Sequence, residues 1–75
     1  MPKVSEQGKS IRAAIKGGMA KRDYFDQDLA DAVGISRMTF YRRMKHPDTF
    51  TIKELEKIAK TLCTTIPAIL SGQVN

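Results

Sequence analysis

The chain has 75 residues, 41% of them apolar, and a formal net charge of +5; that length fits one domain, and that apolar content argues against a chain disordered throughout. Its one cysteine, Cys63, excludes an intramolecular disulfide, and Cys63 with His46 falls short of the roughly four ligands a structural zinc ion takes. No apolar run approaches the ~20 residues of a membrane span, and no hydrophobic signal segment opens the chain, so a protein of the reducing cytosol is expected.

The pattern is one of short helices, without a strand pattern, repeat or low-complexity tract. Residues 1–5, with Pro2, read as a loose arm. The first helix is expected from Glu6 to Arg22, because Ile11, Ala14, Ile15, Gly18 and Met19 recur at spacings of three and four. Gly17 and Gly18 cost roughly 1 kcal/mol each relative to Ala in a helix, and Gly18 suits a close helix approach. A second helix, Asp26 to Val33, takes Asp26 as its N-cap and places Asp28 in the first turn, where the helix dipole favours negative charge. Leu29, Ala30 and Val33 form its inner face, and Gly34 ends it in a left-handed conformation.

A third helix is expected from Ser36, its N-cap, to Lys45. Helical rotation puts Phe40 and Met44 on one face and Met38, Tyr41, Arg42 and Lys45 broadly on the other. His46-Pro47-Asp48 stops it, since a residue before proline is pushed out of the helical region; His46 reads as a helix-end residue interacting with the last carbonyls. Thr51-Ile52-Lys53-Glu54 is a capping box with Phe50 and Leu55 at the staple positions, which predicts a fourth helix with Ile52, Leu55, Ile58, Ala59 and Leu62 as its inner stripe. Cys63 follows that stripe and reads as a packing residue. A short fifth helix, about Thr65 to Ser71, is capped by Thr65 and ended by Gly72.

Charge is unevenly spread. Residues 1–46 carry ten Lys or Arg against five Asp or Glu, while residues 47–75 carry three of each. Between 36 and 46 stand Arg37, Arg42, Arg43 and Lys45 with no acid, an excess that reads either as a footprint for a polyanion or as a solvated helix face. Within 27–42 two short helices meet at a tight turn. Ala30 is small so that the next helix can pack over it, and Gly34 lets the backbone reverse. Leu29, Val33, Ile35 and Phe40 share a core, which leaves Arg37, Met38, Tyr41, Arg42 and Lys45 on an exposed face. Asp26, Asp28 and Asp31 are spaced for dipole and surface roles rather than for a metal, and no cofactor or catalytic arrangement is legible.

The stretch Gln27 to Arg42, followed by the Thr51–Leu62 helix, resembles the Cro and phage-repressor group of helix-turn-helix DNA-binding proteins over roughly residues 9–71. Where that group often has an apolar residue three positions after Phe40, this chain has Arg43, with Met44 one place later. The resemblance implies an all-α, lambda-repressor-like bundle of four to five short helices over 1–75, with the helix-turn-helix at about 26–45. It implies a sequence-specific, double-stranded DNA-binding transcriptional regulator, of repressor type, bacterial or phage-encoded, with helix 36–45 in the major groove. Base-edge contacts would come from Arg37, Met38 and Arg42, the arginines to guanine and Met38 to a thymine methyl. Gln27, Ser36, Thr39, Tyr41, Arg43 and Lys45 would contact phosphate, and Tyr41 either. The alternative is a protein-interaction module, an antirepressor or adaptor, on the same fold. An RNA reader would need stacking aromatics, and only Tyr41 stands on the basic face. A homodimer is expected, since one recognition helix reads few base pairs. Ile66, Ile69, Leu70 and Val74 either form its contact or cap the monomer core.

Overall fold

A computed structural model of the chain describes residues 5–73. Ser5 starts the first helix, α1 (Glu6–Arg22), by accepting a hydrogen bond from the Gly8 N–H at 2.9 Å. Its hydroxyl donates to Asp48 at 2.7 Å, so this residue, expected in the arm, ties the start of α1 to the middle of the chain. The rest of the expected arm, residues 1–4, lies outside the described residues, as does Val74. Gly17 and Gly18 do not interrupt α1. A Cβ on Gly18 would stand 3.0 Å from Leu62 Cδ1, which explains the missing side chain by close packing. Asp23 ends α1 in the left-handed region (φ 56°), which Asp tolerates better than most residues.

The next helix, α2 (Asp26–Val33), has the expected bounds but not the expected cap. The cap position falls on Phe25, extended at φ −101°, and Asp26 is already helical. Phe25 has no side-chain acceptor, so only half of the reciprocal cap exists: the Asp28 carboxylate accepts from the Phe25 N–H at 2.8 Å. Gly34 closes α2 at φ 83°, with Gly34 and Ile35 both donating to the Ala30 carbonyl.

The third helix, α3 (Arg37–Lys45), begins at Ser36, whose Oγ accepts from the Thr39 N–H at 3.1 Å and donates to Thr39 Oγ1 at 2.9 Å. His46 ends it through its backbone N–H, which donates to the Arg42 and Arg43 carbonyls. A 3-10 turn, Pro47–Thr49, buries Pro47 and leads into Phe50, whose ring meets Phe40 edge-on at 6.2 Å between centroids.

In α4 (Ile52–Thr61) the capping box is complete: Thr51 N–H donates to Glu54 Oε1 at 2.9 Å, and Glu54 N–H to Thr51 Oγ1 at 3.1 Å. The inner stripe is shorter than expected. Leu55, Ile58, Ala59 and Leu62 are buried, whereas Ile52 is 64% exposed. At 100° per residue Ile52 falls about 20° beyond Ala59, the stripe's edge, and it sits at the helix's first position. Cys63 is a second correction: it is exposed and takes φ 55° in the turn that leaves α4 rather than packing inward. The last helix, α5 (Ile66–Leu70), is capped by Thr65 and followed by Gly72 at φ 79°.

The helices enclose one apolar cluster, with Ile15, Leu29, Ala30, Phe40, Ile58 and Ile69 fully buried. The long α1 lies along α5, and α2 packs on both α3 and α4. Because Ile69 has no exposed surface, it caps the monomer core and is unavailable to a dimer contact. Ile66 and Leu70 pack on the cluster but stay partly exposed.

Candidate nucleic-acid interface

The orientation of α3 follows from two side chains. Phe40 is fully buried and Met44 is 8% exposed, so the face they share is pinned against the core. At 100° per residue Arg37, Tyr41, Lys45, Met38 and Arg42 then occupy an outward arc of about 140°. All five are exposed, Met38 by 59% and Tyr41 by 49%. Lys45 Nζ lies 5.0 Å from the centre of the Tyr41 ring, a cation–π distance that orders both side chains on the surface. The arc is anchored from behind. Lys57 on α4 donates to the Val33 carbonyl at 3.3 Å, which holds the end of α2 and the turn that aims α3.

The expected site residues are distributed around this arc. Arg37, Met38, Tyr41, Arg42 and Lys45 lie together on it. Ser36 and Thr39 stand at the α3 N-terminus, where backbone N–H groups lack intrahelical partners and suit an anion. Their hydroxyls are engaged with one another in the cap. Gln27 is exposed in the first turn of α2, and its amide donates to Asp31 Oδ1 at 2.8 Å, one turn on. Arg43 is the exception. It falls on the flank facing α4, its Nε 3.2 Å from Glu54 Oε1 and its terminal nitrogen 3.4 Å from Glu54 Oε2. The Nε contact is an ion pair without hydrogen-bond alignment. This arginine holds α3 to the capped start of α4, with its side chain 31% and that of Glu54 13% exposed.

Other residues border the face without having been singled out from sequence. An open groove between α1 and α3, about 570 Å³ in volume, is lined by Arg12, Lys16, Tyr24, Asp26, Tyr41 and Lys45 among others. Arg12 Nη1 reaches the Met44 carbonyl at 3.5 Å, near the α3 C-terminus, where a cation is favoured. Phe25, 77% exposed, lies with Gln27 and Arg37 around a neighbouring hollow. The four-residue spacing of Arg12 and Lys16 places them on one side of α1. Nothing local shows that this side adjoins α3.

Among the described residues no helix is long and apolar enough to cross a membrane, and no group of three or more His, Cys, Asp or Glu side chains is placed to hold a metal ion. No curated protein and no solved structure matches the chain. The family model of the Cro/C1-type HTH DNA-binding domain matches residues 15–71, which takes in everything from the middle of α1 to the end of α5. A scaffold that buries one side of a short basic helix and presents the other is what such a domain needs, and with that match the chain belongs to the Cro/C1-type helix-turn-helix DNA-binding domains.

Proposed function

We propose that this chain is a sequence-specific, double-stranded DNA-binding regulator of transcription, acting as a repressor, with α3 lying in the major groove. The observation that carries the reading is the split of α3 into a buried side, Phe40 and Met44, and a basic exposed side. Arg37 and Arg42 read guanine, whose two major-groove acceptors match a guanidinium, and Met38 meets a thymine methyl. Gln27, Ser36, Thr39, Tyr41 and Lys45 contact phosphate and fix the register. We assign Arg43 to the α3–α4 contact, because Glu54 already holds its guanidinium. The repressor role rests on the likeness to the Cro and phage-repressor group. A homodimer would double the short site that one helix reads, with Ile66, Leu70 and Val74 as the candidates for the contact once Ile69 is given to the core.

The test is selection of bound sequences from a random duplex pool, followed by titration of the selected site. Arg37→Ala and Arg42→Ala each weaken binding to it by roughly 1–3 kcal/mol and relax the preference at one base pair. Unchanged binding in both variants would sink the groove assignment, whereas a pool with no enriched site would favour a protein-interaction module on this fold.

A further inference from the structure

We infer that the groove between α1 and α3 seats the sugar-phosphate backbone of one DNA strand, with Arg12 and Lys16 as phosphate contacts outside the helix-turn-helix unit. The inference rests on the DNA-binding reading above and extends its footprint onto α1, a helix to which that reading assigns no contact.

Arg12 and Lys16 line the groove from α1, and Tyr41 and Lys45 line it from α3, with the buried Met19 and Met44 as its floor. Tyr41 and Lys45 also belong to the outward arc, so a strand that borders α3 has a continuous path to α1. Three cations stand on the lining against one acid, Asp26. Cations elsewhere are engaged: Lys9 lies 3.7 Å from Glu6, Arg43 rests on Glu54, and Lys57 donates to the Val33 carbonyl. Among the described residues no carboxylate pairs with Arg12, Lys16 or Lys45. Like charges gathered round one groove repel one another, and a polyanion laid between them relieves that cost. Arg12 Nη1 donates to the Met44 carbonyl at 3.5 Å, which holds the guanidinium beside the end of α3 and leaves its other N–H donors for phosphate. Lys16 is exposed one turn further on, about 6 Å along α1, so the pair can meet neighbouring phosphates. The mixed lining selects the occupant. A DNA strand alternates carbon-rich sugars with phosphates; the methionine floor and the Tyr41 ring suit the sugars, and the cations suit the phosphates. A free phosphate ion would use the cations alone.

The experiment uses the full chain and the duplex it selects from a random pool. Backbone phosphates are replaced one at a time by uncharged methylphosphonates, and the positions that weaken binding map the strand contacts. Lys16→Gln should cancel the loss at one or two of those positions and leave the loss at the others unaltered. It should also weaken binding by the same factor on selected and random duplexes and reduce the log–log salt slope by about 1. Arg12→Gln, judged by the same criteria, is the second variant, and circular dichroism checks that both fold. Inorganic phosphate added at constant ionic strength should not displace the duplex. Displacement that Lys16→Gln abolishes would give the groove to a free anion and overturn the inference. An enriched site whose methylphosphonate profile and salt slope are unchanged in both variants overturns the inference alone. A pool with no enriched site overturns the DNA reading and this inference with it.

Discussion

Three arginines share the nine residues of α3, and their surroundings divide them. Arg37 and Arg42 are exposed on the outward arc, while Arg43 stands against Glu54, an acid that also closes the capping box of α4. Composition treats the three as one basic run, and only a neighbour eleven positions away separates them. The distinction is measurable. Arg43→Ala should lower stability by roughly 1 kcal/mol, the ordinary worth of a partly exposed ion pair, in thermal or urea unfolding. It should leave the base preferences of the selected site intact. A loss of discrimination at one base pair with unchanged stability would move Arg43 to the DNA face.

At the scale of elements, the helix boundaries follow local chemistry closely. Ser5, Ser36, Thr51 and Thr65 each accept a backbone N–H three residues on, a bond formed within a single turn. One departure is itself local: Asp23 leaves α1 in the left-handed region, and the cap of α2 falls on Phe25 rather than Asp26. The glycines of α1 survive in a helix because tertiary packing exceeds their propensity cost. Gly18 makes this testable: Gly18→Val would push a branched side chain into Leu62 and should destabilise the fold by about 1–3 kcal/mol. An unchanged denaturant midpoint would mean that Leu62 can give way to the added side chain at no cost, contrary to its close packing on Gly18 here.

At the scale of the whole molecule, charge and shape act together. The outward arc of α3 and the α1 side bearing Arg12 and Lys16 meet along one groove, so basic side chains extend beyond the recognition helix itself. Neutralising a phosphate releases counterions, and each such contact steepens the fall of affinity with salt. Lys45→Ala should weaken binding about equally on all sequences and reduce the log–log salt slope by about 1, as read by titration at several salt concentrations. A slope unchanged by that substitution would take Lys45 off the backbone. For assembly, sedimentation with the selected duplex should show two copies on a site with two-fold symmetry, its halves about one helical turn apart. One copy on an unsymmetrical site would remove the dimer. What the sequence by itself determined was the set of helices, the caps at Ser36, Thr51 and Thr65 and the inward pair Phe40 and Met44, because these depend on hydrogen bonds and periodicity within a few residues. What only the tertiary structure decided was which surfaces those helices share. It gave Ile69 to the core, left Ile52 and Phe25 outside it, set Arg43 on Glu54 and put Lys16 and Tyr41 on the walls of one groove. Those outcomes depend on how distant segments dock, and a helical period carries no information about which neighbour lies across a given face.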